Sequence, residues 1–312
     1  MKQWHSLWLS EWPTWVTMMD SIFTFGCSLS YGADHKSTNN NTKPSSETYT
    51  NILAEHYGLK HYNFSVNGHS NQDIARQVFI GTKFQQENKL NPVYWIGWTK
   101  YKHLGLAHQI GKNKSEEWPY VKVHNEIIKD SGNEELLKWA KDVYKSVDKM
   151  SRFVLSLNTI MQVNSFLKNK GINAINTFNC TSWKTECIPS NYFIKDTKNP
   201  RECLIDDWME KNTVDFDKDP HYELRGLKVG KSGSSFKTFD PYLRELYNEI
   251  KKFNWYEWGS DDLGFQMWCR NNNLGLYPEE NQNISTWHPD EKAHHEAAKK
   301  IINSNTIGEL LK

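Results

Sequence analysis

Four short stretches of this chain carry side chains able to do chemistry. The first is Gly26-Cys27-Ser28-Leu29-Ser30, behind an apolar run. Gly there lets the chain turn sharply, and Ser on such a turn projects its hydroxyl from a strand end, where a helix N-terminus favours negative charge. The pattern is GCSLS, not the GxSxG elbow. Cys27 is the rival nucleophile. It sits nearer the strand, and a buried thiol is usually inert, so Ser28 ranks ahead of it. The second stretch is Val66-Asn67-Gly68-His69-Ser70-Asn71. Gly68 would let a backbone N–H face a cleft without a Cβ in the way, while Ser70 or Asn71 can cap the helix that follows. His69 reads as a loop histidine. The third is Gly97-Trp98-Thr99-Lys100, where the Thr99 hydroxyl could donate to a developing oxyanion or simply satisfy a turn. The fourth is Trp287-His288-Pro289-Asp290-Glu291-Lys292-Ala293-His294. A His just before a Pro-initiated helix is held on a loop, which suits a base facing Ser28. His294 and His295 are expected on that helix's surface. A metal set of His288, Asp290, His294 and His295 is the competing reading, and it lacks the HExxH spacing.

The elements that must position these stretches follow from periodicity. Residues 21–26 (SIFTFG), 62–66, 93–98 (VYWIGW) and 172–178 (INAINTF) read as strands. Helices are expected over 47–57, 71–79, 134–168, 242–253, 261–269 and 289–302. In the longest, Leu136, Leu137, Ala140, Tyr144, Val147, Val154, Leu157, Met161 and Leu167 recur mostly at steps of three and four. The alternation of strand and helix implies a parallel sheet with helices on both faces, and in such sheets the reactive site lies beyond the carboxyl ends of the strands. Residues 1–17 read as an N-terminal extension and 18–312 as one domain, with insertions near 101–132 and 179–238.

Composition narrows the function classes. The net charge is +1, and no block of like charge exists, so nothing points to nucleic acid. No apolar run reaches the roughly 18 residues of a membrane span. The first 17 residues make a poor signal peptide, so a cytoplasmic location is expected. Cys27, Cys180, Cys187, Cys203 and Cys269 contain no CxxC pair. Reduced thiols are expected, with a Cys180–Cys187 bridge left open. Aromatic residues make up 13%, with 14 Trp, against 38% hydrophobic residues in total, so rings must supply much of the burial.

Taken in order, the four blocks resemble the SGNH/GDSL hydrolases. FTFGCSLSYG is similar to that family's first block in a short-motif form often seen in phage and environmental bacterial members. NFSVNGHSNQDIARQV is similar to the second, YWIGWTKYK to a degenerate third, and WHPDEKAHHEAAKKI to the fifth. The resemblance covers about residues 20–100 and 285–302. It implies a flavodoxin-like three-layer α/β/α fold with a parallel sheet, carrying helical and loop insertions. It implies a serine esterase needing no metal or organic cofactor. Ser28 would be the nucleophile and His288 the general base. The oxyanion would be held by N–H groups near Ser28 and Gly68 and by Thr99. Two positions depart from the family. Thr99 stands where an Asn is usual, and Ser285 stands where the triad Asp is usual. Asp262 and Asp290 are then the candidate carboxylates, or the pair works as a dyad. Trp98, Trp183 and Trp287 fall near the supposed cleft. As sugar-stacking rings they would favour an O-acetylated carbohydrate, and ordinary packing explains them equally well. A small-molecule ester is the broader class. The other readings are an acyltransferase on the same scaffold, or a non-catalytic carbohydrate-binding or virion-associated protein.

Overall fold

The computed structural model describes residues 19–33, 43–100, 104–107, 120–123, 138–139, 142–143, 146–147, 149–180, 241–259, 264–275 and 288–310. The expected extension 1–17 lies outside them. So do most of 101–132 and nearly all of 179–238, along with Trp183, Asp262, Ser285 and Trp287.

Four parallel strands form the central sheet: β1 (Ser21–Phe25), β2 (Lys60–Asn63), β3 (Pro92–Trp98) and β6 (Ala174–Phe178), in the order β2-β1-β3-β6. A parallel bridge between Asn176 and Trp255 adds a further extended segment beyond β6. It is fixed by Asn176 N–H donating to Asn254 O at 2.9 Å and Tyr256 N–H donating to Asn176 O at 2.8 Å. Numbered by chain order within the sheet, this is the 2-1-3-4-5 arrangement of flavodoxin-like folds. A separate antiparallel pair joins β4 (Leu104–Ala107) to β5 (Tyr120–Val123).

Both sheet faces are covered, which is why β1 and β3 read as unbroken apolar runs. Every residue of β1 and β3 is buried. Their side chains alternate between two cores, as strand geometry requires. Phe23, Phe25, Tyr94, Ile96 and Trp98 face α3 (Asn71–Asn88), α4 (Lys149–Asn169) and α5 (Pro241–Lys251). Ile22, Val93, Trp95 and Ile175 face α2 (Tyr49–His56), α6 (Phe265–Asn271) and α7 (Glu291–Asn303). A one-turn helix, α1 (Ser28–Tyr31), follows β1, and α8 (Thr306–Leu310) closes the described chain.

The rings do much of the filling. Phe23 stacks on Tyr94 at 5.4 Å and Phe25 on Phe64 at 5.3 Å, while Tyr49 meets Trp258 edge-on at 5.4 Å on the other face. Trp95, Trp98 and Trp258 are among the largest fully buried side chains. Polar tips are matched: Trp98 Nε1 donates to Asn176 Oδ1 at 2.8 Å, and Asn176 Nδ2 donates to Asn164 Oδ1 at 2.7 Å.

Several boundaries differ from the sequence reading for identifiable reasons. α3 runs nine residues past the expected stop at 79, straight through Gly81. A Cβ at Gly81 would lie 2.6 Å from the Phe25 ring, so this glycine permits close helix–sheet contact rather than ending the helix. α6 begins at Phe265 behind Gly264, and α7 begins at Glu291 behind Asp290, leaving Pro289 one position outside. His294, expected on the surface, is fully buried. Its Nδ1 accepts the Tyr49 N–H at 3.1 Å, and the rings stack at 5.6 Å. The first-turn N–H groups of α2 need acceptors, and no side chain at the N-cap Thr48 supplies one. His294 fills that role across the interface made close by Ala293, Ala297 and Ala298. His295 is exposed beside Glu47, as expected.

A second, half-buried imidazole carries a pH consequence. His61 Nε2 lies 2.9 Å from Thr24 Oγ1, and burial pushes its pKa down to about 4. The unfolded chain would take up that proton near the ordinary value of about 6.5. The stability from a neutral His61 is therefore complete above about pH 6.5 and is lost as pH falls toward 4, by at most about 3 kcal/mol. Urea midpoints measured across that window should fall for the wild type and fall less for His61→Gln. Parallel curves for the two proteins would contradict this.

Candidate active site

Ser28 is the first residue of α1, directly beyond the carboxyl end of β1. His288 sits two residues before the N-cap of α7. The fold brings them together: His288 Nε2 lies 2.9 Å from Ser28 Oγ, across 260 positions of sequence. Both residues are half-buried.

The imidazole is placed by the loop that opens α7. Asp290 caps the helix, its Oδ1 accepting the Ala293 N–H at 2.8 Å, and its own N–H donates to Gly275 O at 3.0 Å. A Cβ on Gly275 would lie 1.8 Å from Asp290 Oδ2, so only glycine fits there. One oxygen of Asp290 is thereby committed to the cap.

The hydroxyl is placed by carboxamides. Gln77, on α3, grips the Gly26 peptide from both sides: Gly26 N–H donates to Oε1 at 3.1 Å and Nε2 donates to Gly26 O at 3.3 Å. Gln77 Nε2 also meets His69 Nδ1. Asn63, at the end of β2, donates to Ser30 O at 2.9 Å. Asn179, just past β6, is fully buried beneath α1. Its Nδ2 lies 2.9 Å from both Gly97 O and Ser30 Oγ, and 3.5 Å from Cys27 Sγ. Asn71 does the same for the third block: Thr99 N–H donates to its Oδ1 at 2.8 Å, and its Nδ2 donates to Thr99 O at 3.1 Å. Asn71 was weighed only as a helix cap, a task Ser70 performs in a capping box with Asp73. Gln77, Asn63 and Asn179 were not singled out. The one signal for them in sequence is that Asn63 and Asn179 stand at or just past strand ends.

The remaining expected residues are placed as follows. Gly68 adopts a left-handed φ of 70°, which favours glycine. Its loop runs beside the Ser28 turn, since Val66 N–H donates to Gly26 O at 3.2 Å. Thr99 is buried, with Oγ1 at 3.8 Å from Cys180 Sγ. Trp98 has no face open to a cleft: it is fully buried with its indole N–H on Asn176, because the sheet's period turns it into the α3–α4 core. Asp262 and Trp287 lie outside the described residues. Among the described residues no cluster of three His, Cys, Asp or Glu side chains is suited to a metal. Of the proposed ligand set, His294 is engaged with Tyr49 and Asp290 with its helix.

Chemically, a hydroxyl within hydrogen-bond distance of an imidazole nitrogen at a strand end is the geometry of a base-activated nucleophile. Two tight glycines, Gly26 and Gly97, let Asn179 reach under it. A Cβ on Gly97 would come 2.4 Å from Asn179 Oδ1. Gly97→Ala should therefore lower stability by about 1–3 kcal/mol in urea unfolding. Gly259→Ala, with nothing within 4 Å of the added carbon, should stay within about 0.5 kcal/mol of wild type. Equal effects at the two sites would contradict the packing described.

No family model and no curated protein matches the chain. Among solved structures it is similar to the psychrotrophic esterase EstA from Pseudoalteromonas sp., inhibited by monoethylphosphonate. That likeness has 13% identity and a TM-score of 0.38, over 94% of this chain and 98% of that one. It is also similar to phospholipase A1 from Streptomyces albidoflavus NA297, at 10% identity and a TM-score of 0.39, over 92% and 99%. The strand order is that of a flavodoxin-like three-layer α/β/α fold, and it brings Ser28 and His288 together over the carboxyl rim of the sheet.

Proposed function

We propose that this protein is a serine ester hydrolase of the SGNH/GDSL type. The observation that carries the proposal is the 2.9 Å contact between Ser28 Oγ and His288 Nε2. In the reaction, Ser28 Oγ attacks the ester carbonyl while His288 Nε2 takes its proton. The tetrahedral oxyanion is received by backbone N–H groups at Ser28 and Gly68, with Thr99 as the third donor. His288 then gives the proton to the leaving alcohol. Water attacks the acyl-enzyme with the same imidazole as base, and the acid departs. Asp290 and Asp262 remain the candidate carboxylates for His288. One oxygen of Asp290 already caps α7, which leaves its other oxygen for such a role.

An ester is the substrate class that Ser–His chemistry implies. The case for an O-acetylated carbohydrate loses Trp98, which packs inward, and now leans on Trp183 and Trp287, both outside the described residues.

The test is steady-state hydrolysis of a short-chain aryl ester. Ser28→Ala and His288→Ala should each lower kcat by about 10³-fold or more, and the double variant should be scarcely worse than either, because the two residues act as one unit. Wild-type rates in Ser28→Ala would remove Ser28 from the chemistry.

A further inference from the structure

The acyl-transfer scheme leaves two buried thiols without a task, and they lie next to its nucleophile. Cys27 is the N-cap of α1 and immediately precedes Ser28. Cys180 follows Asn179, beyond the end of β6. β1 and β6 are not neighbours in the sheet, since β3 runs between them. The chain after β6 nevertheless crosses over the end of β3, because Gly97 has no side chain to block Asn179. That crossing sets Cys180 beside the Cys27 turn, since Asn179, its neighbour in the chain, has Nδ2 at 3.5 Å from Cys27 Sγ. Both cysteines are free in the structure.

We infer that Cys27 and Cys180 form an oxidation site that closes to a disulfide beside Ser28 and, given the acyl-transfer reading above, slows that chemistry. Two features support it. The pair sits among groups able to stabilise a thiolate: Asn179 Nδ2 is 3.5 Å from Cys27 Sγ, and Thr99 Oγ1 is 3.8 Å from Cys180 Sγ. The two thiols are unequal. The hydrogen bond from Cys180 holds the Cys27 thiol well below the usual range, while the same contact and burial push Cys180 up. One attacking sulfur beside one protonated partner is the arrangement of a redox-sensitive dithiol.

With a peroxide as oxidant the step balances. The Cys27 thiolate attacks one peroxide oxygen, the O–O bond breaks, and the hydroxide released leaves as water, giving a sulfenic acid. Cys180 sulfur then attacks Cys27 sulfur, the S–O bond breaks, and the departing hydroxide takes the Cys180 proton as a second water. Two thiols are oxidised by two electrons in total and one peroxide is reduced. The new bond ties the cap of α1 to the segment beyond β6. It pulls Cys27 away from its contacts with Asn179, and the nucleophile's turn shifts with it.

The experiment treats the whole protein with hydrogen peroxide, alkylates remaining thiols under denaturing conditions, and maps peptides by mass. The expected result is a loss of about 2 Da, a linked peptide joining Cys27 to Cys180, and ester hydrolysis reduced about 10- to 100-fold, restored by dithiothreitol. Cys180→Ala, or Cys180→Ser if the first folds poorly, should keep the reduced protein's activity and lose the dithiothreitol-reversible response. Alkylation of both thiols after peroxide, linkage between other cysteines, or a disulfide that leaves the rate unchanged would each overturn the inference. If the reduced protein hydrolyses no ester, the acyl-transfer reading falls, while mass and linkage still decide the dithiol site.

Discussion

The hydrogen bond between Ser28 Oγ and His288 Nε2 spans 260 positions, and neither of its ends is rigid alone. Ser28 opens a helix of one turn, too short to persist by its own hydrogen bonds. His288 lies on a loop. Each end must borrow its position from something larger. For Ser28 that is β1, all five residues of which are buried between two helical layers. For His288 it is α7, whose alanines press against α2 and whose buried His294 satisfies the first turn of α2. The parallel sheet brings both to one rim, because every strand ends its course on the same side.

Between that scaffold and the Ser28–His288 pair lies a set of carboxamides, all buried but the half-buried Asn63. Gln77 holds Gly26, Asn63 and Asn179 hold Ser30, and Asn71 holds Thr99. An amide side chain carries a donor and an acceptor together, so it can match a whole peptide unit as another strand would. Such bonds are worth little net energy when made and are costly to leave half-made, so they fix geometry more than they add stability. The glycines are the counterpart. Gly26 and Gly97 stand where a Cβ would collide with Ser30 or Asn179, and Gly275 where one would collide with the capping Asp290.

The elements bordering the site were legible in the sequence because local chemistry marks their edges. SIFTFG stops at a glycine, and Pro289 with Asp290 announces a helix. Those edges, together with the resemblance of the four blocks to the SGNH/GDSL hydrolases, pair Ser28 with His288 in the sequence. The carboxamides were not legible, since Asn and Gln in a polar stretch look the same whether solvated or buried. Only the closing of β3 against β6 shows that Asn179 is inside. Glycine inside a helical pattern signals either an end or a close approach, and at Gly81 the nearness of Phe25 decides for the second. His294 looked exposed within a Lys-rich helix, yet the acceptor it supplies is required by a partner 245 residues away. Trp98 was placed by its neighbours in sequence, whereas the two-residue period of β3 turned it into the core.

The central claim is that this fold activates one serine through one histidine. Labelling with a fluorophosphonate, followed by peptide mapping, reads that activation without assuming a substrate. The account predicts one phosphonyl group per chain, carried on Ser28, formed about 10²- to 10⁴-fold more slowly in His288→Ala at unchanged urea midpoint. An adduct elsewhere, no adduct at all, or a His288→Ala variant labelled at the wild-type rate would contradict it.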